Sequence, residues 1–170
     1  MSVIATERLE LDRLCADDAA FILELVNDPD WLRHIGDKGV HTLDDARAYI
    51  ENGPVAMYAS CGFGLLRVAL KDGTPIGMCG LIRRDSLPDV DIGFAFLPAY
   101  RARGYAREAA RATMDYARAT VGLRRVVAIT SLDNSASARL LEAVGLAFES
   151  LFPIPGEDRQ VRLYAWNAPG

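Results

Sequence analysis

The residues of this chain best suited by type and spacing to chemistry lie in LPAYRARGYAREAAR, residues 97–111, where four arginines surround one glycine. A hydrophobic run ends at Leu97, the chain turns over Pro98 to Arg103, and a helical pattern opens near Gly104. The first amides of a helix have no acceptor within it, so they can hold phosphate oxygens, and a glycine lets an anion reach the backbone with no side chain in the way. Arg101 and Arg103 add positive charge beside that turn. No GxxxxGKS or GxxxxGKT run occurs, and no GxGxxG follows the first strand, so the pattern suits a diphosphate that is held but not cleaved. Arg107 and Arg111, four apart, share a helix face, and Glu108 stands three before Arg111, the spacing of an ordinary solvated ion pair. No aromatic residues interleave the charges in the way a nucleic-acid platform requires.

Other candidates flank this turn. Asp91 opens the strand DIGFAFL, where it either faces an acceptor cleft or is an exposed acid. Gly93 in the same strand marks a bulge, a close ligand approach or packing against a helix. Asn134 and Ser137 follow a strand and open a helix; capping accounts for one of them, and the two together suit a second ligand wall. Cys79, within IGMCGLI, reads as a core thiol. Trp31, Leu32, His34 and Ile35 suit either an acceptor lid or surface packing. His34 and His41 are the sole histidines and form no HExxH, so no metal site is expected.

The elements that must position these residues follow from periodicity and turn chemistry. ERLELDRL alternates Leu9 and Leu11 with charge, as a strand with one wet face does. Phe21, Ile22, Leu25 and Val26 give Ala16 to Val26 a helical stripe, with NDPD expected to end it. Thr42 and Asp45 imitate a capping box for a shorter helix, with ENGP as its expected end. Three antiparallel strands come next, at 62–70, IGMCGLIRR and VDIGFAFL, joined by KDGTP and DSLPD. An alanine-rich helix runs from Gly104 to about Val121, then the strand RRVVAIT, a helix over SARLLEAV and a final pair of strands, LAFESLF and QVRLYAW. That order is a mixed sheet with helices against it.

Composition sets the outer bounds. A chain of 170 residues can bury a sizeable core, and no linker divides it. Nineteen basic against 23 acidic residues give a net charge of -4, so no global field gathers nucleic acid or anionic lipid, and any anion must be met locally. No run approaches the roughly 18 apolar residues of a membrane span. Three cysteines without a CxxC pair suit a reducing compartment, and together these features predict a soluble, cytoplasmic protein.

Arg101, Ala102, Arg103, Gly104, Tyr105 and Ala106 satisfy a known pattern: Gln or Arg, two variable residues, Gly, one variable residue, then Gly or Ala. The stretch from Leu97 to Glu108 thus resembles the coenzyme A signature of the GCN5-related N-acetyltransferases. DIGFAFLPAY before it and TSLDNSASARLLEAVGLAFE after the next strand agree. Together they are similar to the RimJ/RimL-like branch, which acetylates ribosomal-protein amino termini, and the resemblance runs from ERLELDRL to VRLYAW.

The resemblance implies an α/β (α+β) fold whose mixed and mainly antiparallel sheet is flanked by helices, in one domain over residues 1–170. It implies acetyl-CoA in the opening between the strand ending at Leu97 and RRVVAIT. Backbone amides of Arg103, Gly104, Tyr105, Ala106, Arg107 and Glu108 would hold the pyrophosphate with Arg101 beside them, and the backbone of Phe94, Ala95, Phe96 and Leu97 would pair with the pantetheine arm. Asn134 would contact that arm or direct the acceptor, and Ser137 would stand beside the thiol. The implied reaction is direct acetyl transfer to a neutral primary amine, on a small molecule or a protein amino terminus. It needs a path for the amine proton, donors at the carbonyl oxygen and a proton for the leaving thiolate.

Three positions depart from the pattern. Leu141 stands where many members carry the tyrosine that supplies the thiolate's proton, which makes Ser137 the implied donor. Asp91 matches an acidic position before the Ile-Gly pair and is the implied base, directly or through water. Ala102 and Arg101 replace a glycine and an aromatic common in this branch. A non-catalytic acyl-CoA-binding or regulatory module and a small interaction domain remain the alternatives, and pairing of the last strands across a homodimer stays open.

Overall fold

The computed structural model describes residues 2–170. A two-residue strand, β1 (Ile4–Ala5), pairs with β2 (Leu9–Arg13), whose Leu9 and Leu11 point into the core while Glu10 and Asp12 do not. Four helices then come before the next strand. α1 (Ala19–Leu25) buries Ala19, Ile22 and Leu25, three and six residues apart on one face. NDPD, expected only to stop this helix, also starts another, α2 (Pro29–His34): Asp28 caps it by accepting from the amide of Asp30, and Pro29 occupies the first turn, where its missing N–H costs nothing. α3 (Leu43–Ile50) has the expected capping box of Thr42 and Asp45. ENGP does not end it: a wide turn through Glu51–Val55 takes up Pro54 and leads into α4 (Ala56–Cys61), which Gly62 closes at φ 80°.

β3 (Leu65–Leu70), β4 (Pro75–Ile82) and β5 (Asp91–Phe96) form the expected antiparallel meander. After β5 come α5 (Tyr105–Tyr116), which extends through a wide turn to Val121, then β6 (Arg125–Ser131), α6 (Ser135–Ala143), β7 (Ala147–Pro153) and β8 (Gln160–Asn167). The eight strands make one sheet in the order β1-β2-β3-β4-β5-β6-β8-β7. Every neighbouring pair is antiparallel except β5 and β6, which run parallel because α5 carries the chain across between them.

Side chains alternate between two faces. Cys79 and Leu81 of β4 and Ile92, Phe94 and Phe96 of β5 pack with α5, where Ala109 and Ala110 are fully buried and let helix and sheet approach closely. Met78, Ala95 and Leu97 face the other way, onto α1 and α3. Cys79 is the expected core thiol: burial pushes its pKa up to about 12, and its sulfur lies 3.3 Å from Thr113 Oγ1. Gly93 makes no bulge; it pairs in register with Gly80, and a side chain there would meet Ile82 Cδ1 at 2.8 Å. The contact that a side chain here would disturb is with the neighbouring strand β4, not with a helix.

Candidate active site

The parallel pair β5–β6 shares one ladder position, Asp91 opposite Val127, and opens beyond it. The amide of Leu97 donates to Ile76 O on β4, so by strand alternation the backbones of Phe94 and Phe96 face the opening and those of Ala95 and Leu97 face β4. Of the four residues expected to pair with a ligand's arm, only those two present their amide groups to it. Arg101 Nε already donates to Phe96 O at 3.0 Å, so the free groups of this edge centre on Phe94.

At the open end stands the amino terminus of α5. Gly104 adopts φ 83°, a left-handed conformation, and Ala102 two residues earlier does the same at φ 61°. The amide of Glu108 is the first to be satisfied within the helix, donating to Gly104 O at 3.0 Å. The amides of Gly104, Tyr105, Ala106 and Arg107 precede it without an acceptor inside the helix, whereas that of Glu108 is already taken. Its carboxylate points elsewhere, accepting from Thr6 Oγ1 at 2.6 Å and from the amide and Nε of Arg8 at 2.9 and 2.7 Å. The expected Glu108–Arg111 pair does not form, and Arg111 instead donates to Ala143 O.

Arg101 brings to the turn a positive charge that is already paired. It pairs with Asp28, Nη2 to Oδ2 at 2.6 Å, and also with Asp30, both at the start of α2. The far end of α2 is fastened to the other arm: His34 Nδ1 lies 2.7 Å from Ser131 Oγ, and Arg33 pairs with Asp133 at 2.7 Å. α2 therefore bridges the turn after β5 and the turn after β6. Trp31, His34 and Ile35 line the cleft beneath this bridge, as a lid would, whereas Leu32 points to solvent.

The opening leads into a cleft of about 980 Å³, large enough for a sizeable cofactor and its reaction partner. Phe94, Ala95, Phe96, Arg101 and Gly104 line it, as do Ala106 and Arg107. Leu97, Arg103, Tyr105 and Glu108 do not; Tyr105 packs its ring beneath the Arg8 guanidinium, 4.4 Å from the centroid, and Arg103 O accepts from Arg8. Asn134 caps α6 by accepting from the amide of Ser137 at 3.2 Å, and both residues line the wall formed by that helix. Leu141 is fully buried behind them.

Asp91 lies where the two strands part, on the face of β5 that looks toward α1 and α3, and is 1% exposed. Oδ1 accepts from Arg84 Nε at 3.0 Å, while Oδ2 has no protein partner. Burial raises its pKa from the ordinary 3.8 to about 6, against the opposing pull of Arg84. Two further cleft-lining residues hold buried polar atoms without partners, Trp31 Nε1 and Thr130 Oγ1. Such atoms are costly unless a bound molecule or water satisfies them. Neither Thr130 nor Arg84 stood out in the sequence: a threonine in a β-branched strand and an arginine in a turn carry no signal until the sheet brings them to the cleft.

A splayed strand edge with free backbone groups, an uncovered helix terminus at its open end and orphaned polar atoms between them fit coenzyme A: peptide-like hydrogen bonding for the arm, amides for the diphosphate. Comparison with known proteins agrees. Residues 8–147 match the family described as the acetyltransferase (GNAT) domain. The uncharacterised N-acetyltransferase YnaD of Bacillus subtilis is 27% identical over 150 residues, covering 88% of this chain and 85% of its own. An acetyltransferase from Agrobacterium tumefaciens superposes with a TM-score of 0.83 at 27% identity, over 98% of this chain and 95% of that one. RimL, a ribosomal-protein acetyltransferase solved in complex with coenzyme A, shares the fold at a TM-score of 0.82 and 16% identity, over 96% of each chain. This chain belongs to the GNAT acetyltransferases and is an acetyl-CoA-dependent acetyltransferase.

Proposed function

We propose that the protein acetylates a primary amine, on a small molecule or a peptide amino terminus, by direct transfer, with Asp91 accepting the amine proton and Ser137 supplying a proton to the departing thiolate. Bound acetyl-CoA supplies an activated acetyl thioester. The chain's own residues position it and move the protons.

The observation that carries this reading is the state of Asp91. An amine attacks only as the neutral species, so a nearby group must take its proton. Asp91 is buried in the cleft with one oxygen fixed by Arg84 and the other unpartnered, and its carboxyl is raised to about 6, so at neutral pH it is ionised and still basic enough to accept a proton. Ser137 lines the opposite wall, and it is its main-chain amide, not its hydroxyl, that is tied to Asn134. Leu141, apolar and fully buried, offers no proton. The amides of Tyr105, Ala106 and Arg107 serve the diphosphate, and Phe94 serves the arm. Asn134 supports this wall by fixing the start of α6.

The reading is tested by kcat/KM as a function of pH with acetyl-CoA saturating. The wild type should lose activity as pH falls through about 6, where Asp91 takes up its proton. Asp91→Asn should lose at least about 100-fold in kcat and the acid limb with it. Ser137→Ala should bind acetyl-CoA normally and turn over more slowly. An acid limb retained in Asp91→Asn would remove Asp91 as the base.

A further inference from the structure

The end of the cleft remote from α5 is built from three loops, at 35–41, 83–90 and 154–159. They bring four cations to its wall, Lys38, Arg83, Arg84 and Arg159, against two carboxylates, Asp91 and Glu157. Each carboxylate already accepts from one of these arginines: Arg84 Nε holds Asp91 through Oδ1 alone, and Arg159 Nε holds Glu157 at 2.9 Å. Lys38 and Arg83 have no ion-pair partner among the described residues. This surplus of positive charge sits in a protein whose net charge is -4.

Like charges gathered at a cleft wall are unfavourable unless something offsets them, and the two carboxylates that line this wall leave Lys38 and Arg83 unpaired. The Lys38 pKa is lowered chiefly by desolvation and then by the neighbouring Arg84, with Glu157 opposing and Arg159 adding a smaller push. Evolving such a wall for a polyamine or other polycation would set charge against charge. The arrangement suits a ligand that brings its own negative charge.

Distance narrows the class further. Arg84 touches the carboxylate assigned above to receive the amine proton, leaving its terminal nitrogens next to the site of attack. An anion held there lies only a few bonds from the reacting nitrogen. Around this point Trp31, Tyr49, Met57 and Phe152 provide apolar wall.

Resting on the reading of Asp91 and the amine acceptor given above, we infer that the acceptor is a small amino acid-like molecule, a primary amine with a carboxylate or equivalent oxyanion a few bonds away and an apolar side group. Arg84 and Lys38 bind the anion, with Arg83 and Arg159 behind them. A peptide amino terminus lacks that adjacent carboxylate and is a poorer acceptor. The reaction itself is unchanged: an N–C bond to the acetyl group forms, the S–C bond of the thioester breaks, and the amine proton leaves through Asp91.

The test uses matched triplets: an α-amino acid, its carboxamide and the corresponding decarboxylated amine. These are assayed beside a polyamine and short peptides with neutral and acidic amino termini. The acid should exceed its carboxamide and amine by at least about tenfold in kcat/KM. Lys38→Glu, on an exposed loop, should raise KM for the acid by about tenfold or more and bring the acid-to-carboxamide ratio close to one. Calorimetry on the protein without acetyl-CoA gives a second readout: the acid should bind, more weakly at high salt and more weakly to Lys38→Glu. Efficient acetylation of the polyamine or peptides, or equal use of the triplet, would overturn the inference and leave the amine-acetylating reading standing. Absence of transfer to every amine would overturn both.

Discussion

Arg84 Nε donates to Asp91 Oδ1 across 3.0 Å, yet the carboxyl it holds is raised to about 6. Burial outweighs the ion pair here, since one exposed-side cation cannot replace the water that Asp91 gives up. A carboxyl with a raised pKa in the folded state favours folding most when protonated. Its contribution is fully present below the ordinary value near 3.8 and is lost as pH rises through about 6.

Asp91→Asn should therefore be more stable than the wild type at pH 8, by roughly 1–3 kcal/mol, while being nearly inactive. Below about pH 4 the two proteins should melt together. Denaturation curves at the two pH values check this, and a variant less stable at pH 8 would show that the Arg84 pair outweighs desolvation.

Gly104 combines a left-handed backbone at the start of α5 with a close neighbour, since a side chain there would meet Arg8 Nη2 at 3.2 Å. Gly104→Glu adds bulk, strain and negative charge at the expected diphosphate seat. Affinity for acetyl-CoA by calorimetry should fall at least about tenfold. A folded variant with undiminished affinity would place the diphosphate elsewhere.

Ala102 holds φ 61°, a conformation that an L-residue adopts at a cost. Ala102→Gly should relieve part of it and stabilise the fold by roughly 0.5–1 kcal/mol, after the larger entropy of an unfolded glycine is counted. Thermal melting should show a rise of about 2 °C.

Arg101 and Asp28 are coupled across the cleft mouth, and Asp28 is also the cap of α2. Asp28→Asn keeps an acceptor for the cap and removes the charge. A double-mutant cycle with Arg101→Leu should give a coupling of about 1–3 kcal/mol, because Arg101→Leu leaves the buried Asp28 carboxylate alone, while Asp30 still meets Arg101 when Asp28 is changed. Additivity would reduce the pair to a surface contact.

Much of the fold was legible because its signals are local. Alternation in ERLELDRL, the capping box at Thr42 and the turn KDGTP each act within a few residues, and the structure follows them. NDPD misled because one tetrapeptide both ends α1 and starts α2; stop and start signals overlap when the connection is this short. ENGP misled because a wide turn can absorb a proline that a regular helix cannot. At the site, Gly104 and the amides after it could be read from a strand exit meeting a helix start. The commitments of Arg101 and Glu108 could not, because their partners lie at least 71 and 100 residues away. The cationic wall was hidden for the same reason: Lys38, Arg84 and Arg159 come from three distant loops.

The single ladder position between β5 and β6 means that the molecule is two hydrogen-bonded ribbons, β1 to β5 and β6 to β7, leaning together at their base. Their facing edges above Asp91 and Val127 lack the rungs that a continuous sheet would have. Whatever binds both edges is at once substrate and mortar: its hydrogen bonds add to the shared core and the α2 bridge that already hold the two parts together, so saturation of the wedge raises the stability of the folded chain.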